Sequence, residues 1–146
     1  LNGHATDLEE ECTRYTSLLS QFPTDIVCLG IGENGHIAFN DPDVANFNDH
    51  KLVKIVKLDH VCRQQQVNEK CFETLEQVPT EALTLTIPAL LKAKWMFCIV
   101  PFKNKAQAVY RTIHGDISEK CPASILRRKE KSSLYLDTES AQLLNL

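Results

Sequence analysis

From Cys28 to Pro42 the chain reads Cys-Leu-Gly-Ile-Gly-Glu-Asn-Gly-His-Ile-Ala-Phe-Asn-Asp-Pro. His36 is the group in this stretch able to move a proton at neutral pH, because a free imidazole titrates at about 6.5. Gly30, Gly32 and Gly35 precede it and bring the backbone to places where side chains would not fit. A short apolar run, Asp25 to Leu29, leads into the turn and predicts a buried strand. Ligands of α/β folds sit beyond the carboxyl ends of strands, which is where this imidazole falls. The plainer alternative is a ring satisfied by backbone in a tight turn. Lys105 opens a predicted helix, and a lysine at a helix start is a reasonable anion site.

The three glycines also fit G-x-G-x-x-G, the dinucleotide fingerprint, with Asp59 as a candidate ribose acid. That fingerprint needs a long helix opening at the third glycine. Asn40-Asp41-Pro42-Asp43 would stop such a helix within about two turns.

The elements that must position these groups alternate. Helical spacing of Leu8, Cys12, Tyr15, Leu18 and Leu19 predicts a helix over 7–22, ended by Pro23. Leu52 to Leu58 predicts a strand, and Asp59 a cap for a helix running to about Glu76 with Gln64-Gln65-Gln66 on its wet face. Ala82 to Ile87 reads as a strand, and Pro88 starts a short helix. Trp95 to Val100 reads as a central parallel strand. Asn104 is placed as the cap of a helix over 105–114, ended by Gly115. A helical turn over 122–127, a strand over 133–136 and a terminal helix capped by Thr138 complete the order. The class is α/β, a Rossmann-like layered fold with a largely parallel sheet and helices on both faces, in one domain over 1–146.

The 146 residues carry a net charge of −3, so no nucleic-acid footprint is implied, and no apolar run is long enough to span a bilayer. The six cysteines form no C-x-x-C pair, which argues against a zinc site and suits free thiols in a reducing cytoplasm.

Gly32-Glu33-Asn34-Gly35-His36-Ile37-Ala38-Phe39-Asn40-Asp41-Pro42 resembles the signature of the glucosamine-6-phosphate deaminase/isomerase family. The sister 6-phosphogluconolactonases share the Gly-His core but not the Phe-Asn-acid-Pro tail. Val78-Pro79 with Ala82-Leu83-Thr84, Asn104 to Val109, Pro122 to Leu126 and Tyr135-Leu136-Asp137 resemble further family segments in order. Leu1 to Ala5 resembles a segment near the middle of those deaminases, so the match is to the second half of their sequence.

The resemblance implies a hydrolase-class deaminase that converts glucosamine 6-phosphate to fructose 6-phosphate and ammonia without cofactor or metal. It casts His36 as the ring-opening group and Asn34 and Asp41 as the residues that orient and polarise it. Gly32 and Gly35 line the substrate, and Lys105 and Lys70 hold its phosphate. Asn34 and Asp41 stand where carboxylates, often Glu at the second position, are usual. Lys70 stands where the family has Arg and lacks the bidentate fork, with Arg63 as a substitute. Lys129 replaces a histidine. No stretch matches the family's enolisation Asp or its phosphate loop. The chain is therefore expected to be part of a longer enzyme, and to show open sheet edges and apolar faces on its own. The competing reading is a non-catalytic sugar-phosphate binding or regulatory module, with homo-oligomerisation left open.

Overall fold

The computed structural model describes residues 1–145. The order is α1 (Leu8–Gln21), β1 (Ile26–Leu29), β2 (Val53–Lys57), α2 (His60–Asn68), β3 (Glu81–Leu85), α3 (Ile87–Leu91), β4 (Trp95–Val100), α4 (Ala106–His114) and β5 (Ser132–Leu136). Short 3-10 turns span Leu75–Gln77, Lys103–Lys105 and Pro122–Arg128.

Strands β1, β4 and β5 form a parallel sheet with β4 in the centre, as its continuous apolar run predicts. Burial alternates along β4: Met96, Cys98 and Val100 are buried, whereas Trp95 and Ile99 are exposed. The buried face packs with Val27, Leu29, Leu134 and Leu136 against Ile37, Ile87, Val109 and Ile125. The other face is bare. Ile26, Trp95, Ile99 and Tyr135 are 55%, 40%, 50% and 52% exposed, and among the described residues no helix covers them. The outer edge of β1 likewise has no strand partner among the described residues. Cys28 lies on β1 and is exposed rather than buried. Among the described residues all six cysteines are free thiols.

Strands β2 and β3 leave this sheet and pair antiparallel with each other, and α1 packs against β2. Their pairing puts Lys57 beside Glu81 and Val53 beside Leu85, fixing the approach of the segments that flank the site.

Several local expectations are corrected. Helix α2 ends at Asn68, well before Glu76, because Lys70 takes φ +60 and turns the chain out of the helix. The wet glutamine face is wrong at Gln65, which is buried and hydrogen-bonded. Strand β3 stops at Leu85 because Thr86 accepts from the Ala89 N–H and caps α3. Asn104 does not cap α4; it donates to Glu33 Oε1 at 2.7 Å. Thr138 starts no helix: Asp137 Oδ1 instead accepts from the Ser140 N–H at 2.7 Å and closes a turn.

Candidate active site

The turn after β1 is closed by its own backbone. Gly32 N–H donates to His36 O and Gly35 N–H to Gly32 O, both at 2.9 Å. The two glycines are needed for different reasons. A Cβ on Gly32 would lie 2.1 Å from His36 Cε1, so the missing side chain is the space the imidazole fills. Gly35 has φ +92, and a Cβ there would lie 2.8 Å from Cys121 Sγ. The turn is pinned from outside by the Ala123 N–H, which donates to Gly35 O, and by Asn40 Nδ2, which donates to Ile37 O and Leu85 O. No helix opens at Gly35; Ala38, at φ +49, carries the chain into the Asn40-Asp41-Pro42 turn. The dinucleotide reading needs that helix and loses its support here.

His36 is 8% exposed and Asp41 1% exposed. His36 Nδ1 lies 2.8 Å from Asn34 Oδ1 and 2.9 Å from Asp41 Oδ1. Both neighbours accept, so Nδ1 carries the hydrogen and Nε2 is left as the basic nitrogen. Asn34 Oδ1 also accepts from the His36 N–H at 2.9 Å, and Asn34 Nδ2 donates to Asp41 Oδ1 at 2.9 Å. Burial works against ionising Asp41. The hydrogen bonds from His36 and Asn34, helped by the attraction of the imidazole when it is protonated and by the Asp59 N–H, outweigh it and hold the carboxyl below its ordinary value. Cys62 closes the back of the group. Its Sγ, His36 and Asp41 offer ligand-type atoms within 4.8 Å of one another. Burial, then the charges of Asp41 and Asp59, push that thiol up to about 12, so it acts as a neutral thiol behind Asp41.

His36 opens onto a cleft of about 530 Å³ that it shares with Gly30, Gly32, Gln65, Glu69 and Lys105. Lys105 is buried in the 3-10 turn before α4, and its Nζ lies 3.3 Å from Glu69 Oε1. Gln65 Nε2 steadies the same carboxylate at 2.8 Å, while Gln65 Oε1 accepts from the Glu33 N–H at 3.2 Å. The cleft thus brings an imidazole and a buried lysine together.

The description "Glucosamine-6-phosphate isomerases/6-phosphogluconolactonase" matches residues 1–135. The chain belongs to this family. A glucosamine-6-phosphate deaminase of Bacillus cytotoxicus is 42% identical over 142 residues, covering 97% of this chain and 52% of the relative. A glucosamine-6-phosphate deaminase of Listeria monocytogenes serotype 4a is 42% identical over 143 residues, covering 98% and 59%. The solved structure of a monomeric glucosamine-6-phosphate deaminase superposes with a TM-score of 0.89 at 40% identity, covering 97% of this chain and 57% of that one. A 6-phosphogluconolactonase from Trypanosoma cruzi shares the fold at 18% identity and a TM-score of 0.68. The chain spans a little over half the length of the relatives it matches. None of these names carries an enzyme class, so the hydrolase label drops out.

Set against the family pattern, the structure gathers some of the expected residues and separates others. His36, Asn34, Asp41, Gly32 and Gly35 form one hydrogen-bonded turn, and Lys105 shares its cleft. Lys70 does not join them. It is exposed and lines a separate hollow with Val67, Phe72 and Gln77, because its positive φ directs the chain away. Arg63 is no substitute: its Nη2 donates to Leu75 O at 2.6 Å and Val78 O at 3.0 Å, holding the loop after α2. Lys129 braces α3 by donating to Leu91 O at 3.0 Å. Sequence reasoning missed Glu69, Gln65 and Cys62, which carry no motif. Asp59 was visible as a helix cap and as a candidate ribose acid, not as a partner of Asn34.

Proposed function

We propose that this chain carries the ring-opening and phosphate-holding part of a glucosamine-6-phosphate deaminase. The observation that carries the reading is His36 Nδ1 held at 2.8–2.9 Å by Asn34 and Asp41, with the ring on the cleft that holds Lys105. Nε2 takes the proton of the anomeric hydroxyl and returns one to the ring oxygen, opening the sugar to its aldehyde. The imidazolium formed between those transfers is stabilised by Asp41, which stays ionised. Lys105 binds the phosphate, which displaces Glu69 from its Nζ. The base for the C2 proton lies outside this chain. Proton transfer then gives the ketose imine, and water releases ammonia and fructose 6-phosphate. The reading calls for no cofactor, metal or nucleic acid, and the free thiols suit a cytoplasmic setting.

The test is ammonia release from glucosamine 6-phosphate by the full-length protein containing this chain. His36→Gln is expected to lower kcat by about 10²-fold or more. Unchanged turnover in that variant removes His36 from its role. A second reading, a sugar-phosphate binding module without turnover, draws on Lys70 facing away and on the Glu69–Lys105 pair. Binding of glucosamine 6-phosphate by calorimetry without ammonia release would favour it.

A further inference from the structure

Asp59 lies outside the His36, Asn34 and Asp41 trio, yet both of its carboxylate oxygens are committed beside it. Its Oδ2 accepts from Asn34 Nδ2 at 2.8 Å, and its Oδ1 accepts from the Cys62 N–H at 2.6 Å. Its own backbone N–H donates to Asp41 Oδ2 at 3.4 Å. We propose that Asp59 is a positioning residue, the second carboxylate of the site, acting on His36 through the Asn34 amide.

The Asn34 amide nitrogen has two hydrogens, and both meet carboxylates, Asp41 Oδ1 at 2.9 Å and Asp59 Oδ2 at 2.8 Å. Its oxygen must then point the other way, onto the His36 N–H and Nδ1. An acceptor facing Nδ1 keeps the hydrogen there and leaves Nε2 as the base. Asp59 therefore helps select the tautomer of an imidazole it does not touch.

Only a carboxylate serves at position 59. Its two oxygens face two N–H donors, one on Asn34 and one at the start of α2. An isosteric amide has one oxygen and one NH₂ group, so it would satisfy the helix or Asn34 but not both. The same geometry accounts for the amide at position 34. A carboxylate there would face the Asp41 and Asp59 carboxylates without the two Nδ2 hydrogens that Asn34 directs to them.

The test is ¹⁵N NMR of the His36 ring in the 146-residue chain, compared with Asp59→Asn, Asn34→Asp and the double variant, each with a thermal melt. The unsubstituted chain is expected to show the Nδ1–H tautomer. Asp59→Asn is expected to give a mixture of tautomers, because the Asn34 amide can then turn its NH₂ toward Nδ1 and compete with Asp41 Oδ1 for it. Asn34→Asp is expected to melt lower, with the double variant melting above it, because the amide introduced at position 59 would again place an N–H between positions 34 and 59. In the full-length protein Asp59→Asn is expected to lower kcat by about tenfold with KM within about twofold. Unchanged His36 ring shifts in Asp59→Asn, even with a lower melting temperature, would reduce Asp59 to a helix cap and overturn the proposal. So would a double variant no more stable than Asn34→Asp. The kinetic arm rests on the deaminase reading; if unsubstituted protein releases no ammonia, that reading fails while the ring shifts still judge Asp59.

Discussion

At one end of the cleft His36 Nδ1, Asn34 and Asp41 Oδ1 are joined by contacts of 2.8–2.9 Å, and the Asp41 carboxylate is 1% exposed. At the other end Lys105 is held by one carboxylate, that of Glu69, whose side chain is 44% exposed, and the second expected cation faces elsewhere. The two ends differ because different kinds of structure build them. The proton end is a single turn, closed by hydrogen bonds between residues a few positions apart and pinned by Leu85, Asp59 and Ala123, so its geometry is set before any ligand arrives. The anion end joins the end of α2 to the start of α4, 36 residues apart along the chain. One torsion at Lys70 is enough to remove a side chain from it. On the proposed reading the acid–base geometry is preorganised, whereas phosphate binding exchanges the Glu69 carboxylate on Lys105 for the phosphate of the ligand.

The largest expected effect separates two glycines within the proton end. Gly32→Ala puts a methyl group in the space of the His36 ring, 2.1 Å from Cε1. The ring can swing away, so the fold is expected to survive while ammonia release falls by about 10²-fold or more. Gly35→Ala forces a residue into φ +92 against Cys121 and is expected to cost about 1–3 kcal/mol of stability. Melting curves and turnover, measured together on both variants, break the comparison if both change in the same way.

A smaller effect is expected at the anion end. Lys105→Met should raise KM for glucosamine 6-phosphate by about tenfold and change kcat little, the signature of lost uniform binding. Lys70→Ala should leave KM within about twofold. An equal rise in both would mean that Lys70 swings into the cleft when the sugar phosphate binds.

The smallest effect is a pH dependence of stability at the proton end. The Asp41 carboxyl is held below its ordinary value, so its ionised form stabilises the fold above about pH 4, and that contribution is lost as pH falls through the lowered value. The stability difference between the unsubstituted chain and Asp41→Asn, read from urea midpoints, should therefore shrink below about pH 4. A constant difference would show that Asp41 is not ionised in the folded state.

The contacts among His36, Asn34 and Asp41 are local, and for that reason these residues were legible in the sequence. A glycine that must make room, an imidazole and its two partners lie within ten positions, and their contacts are local. The alternation of strands and helices was legible for the same reason, since periodicity and caps act over a few residues. What only the tertiary structure decided was everything joined across long separations. It put β2 and β3 into their own antiparallel pair, left one face of β4 bare, and set Glu69 on Lys105 while turning Lys70 outward. It also brought Asp59 to Asn34 across 25 residues. A cap signal announces only the helix it starts, and which distant amide its second oxygen meets depends on how the elements pack.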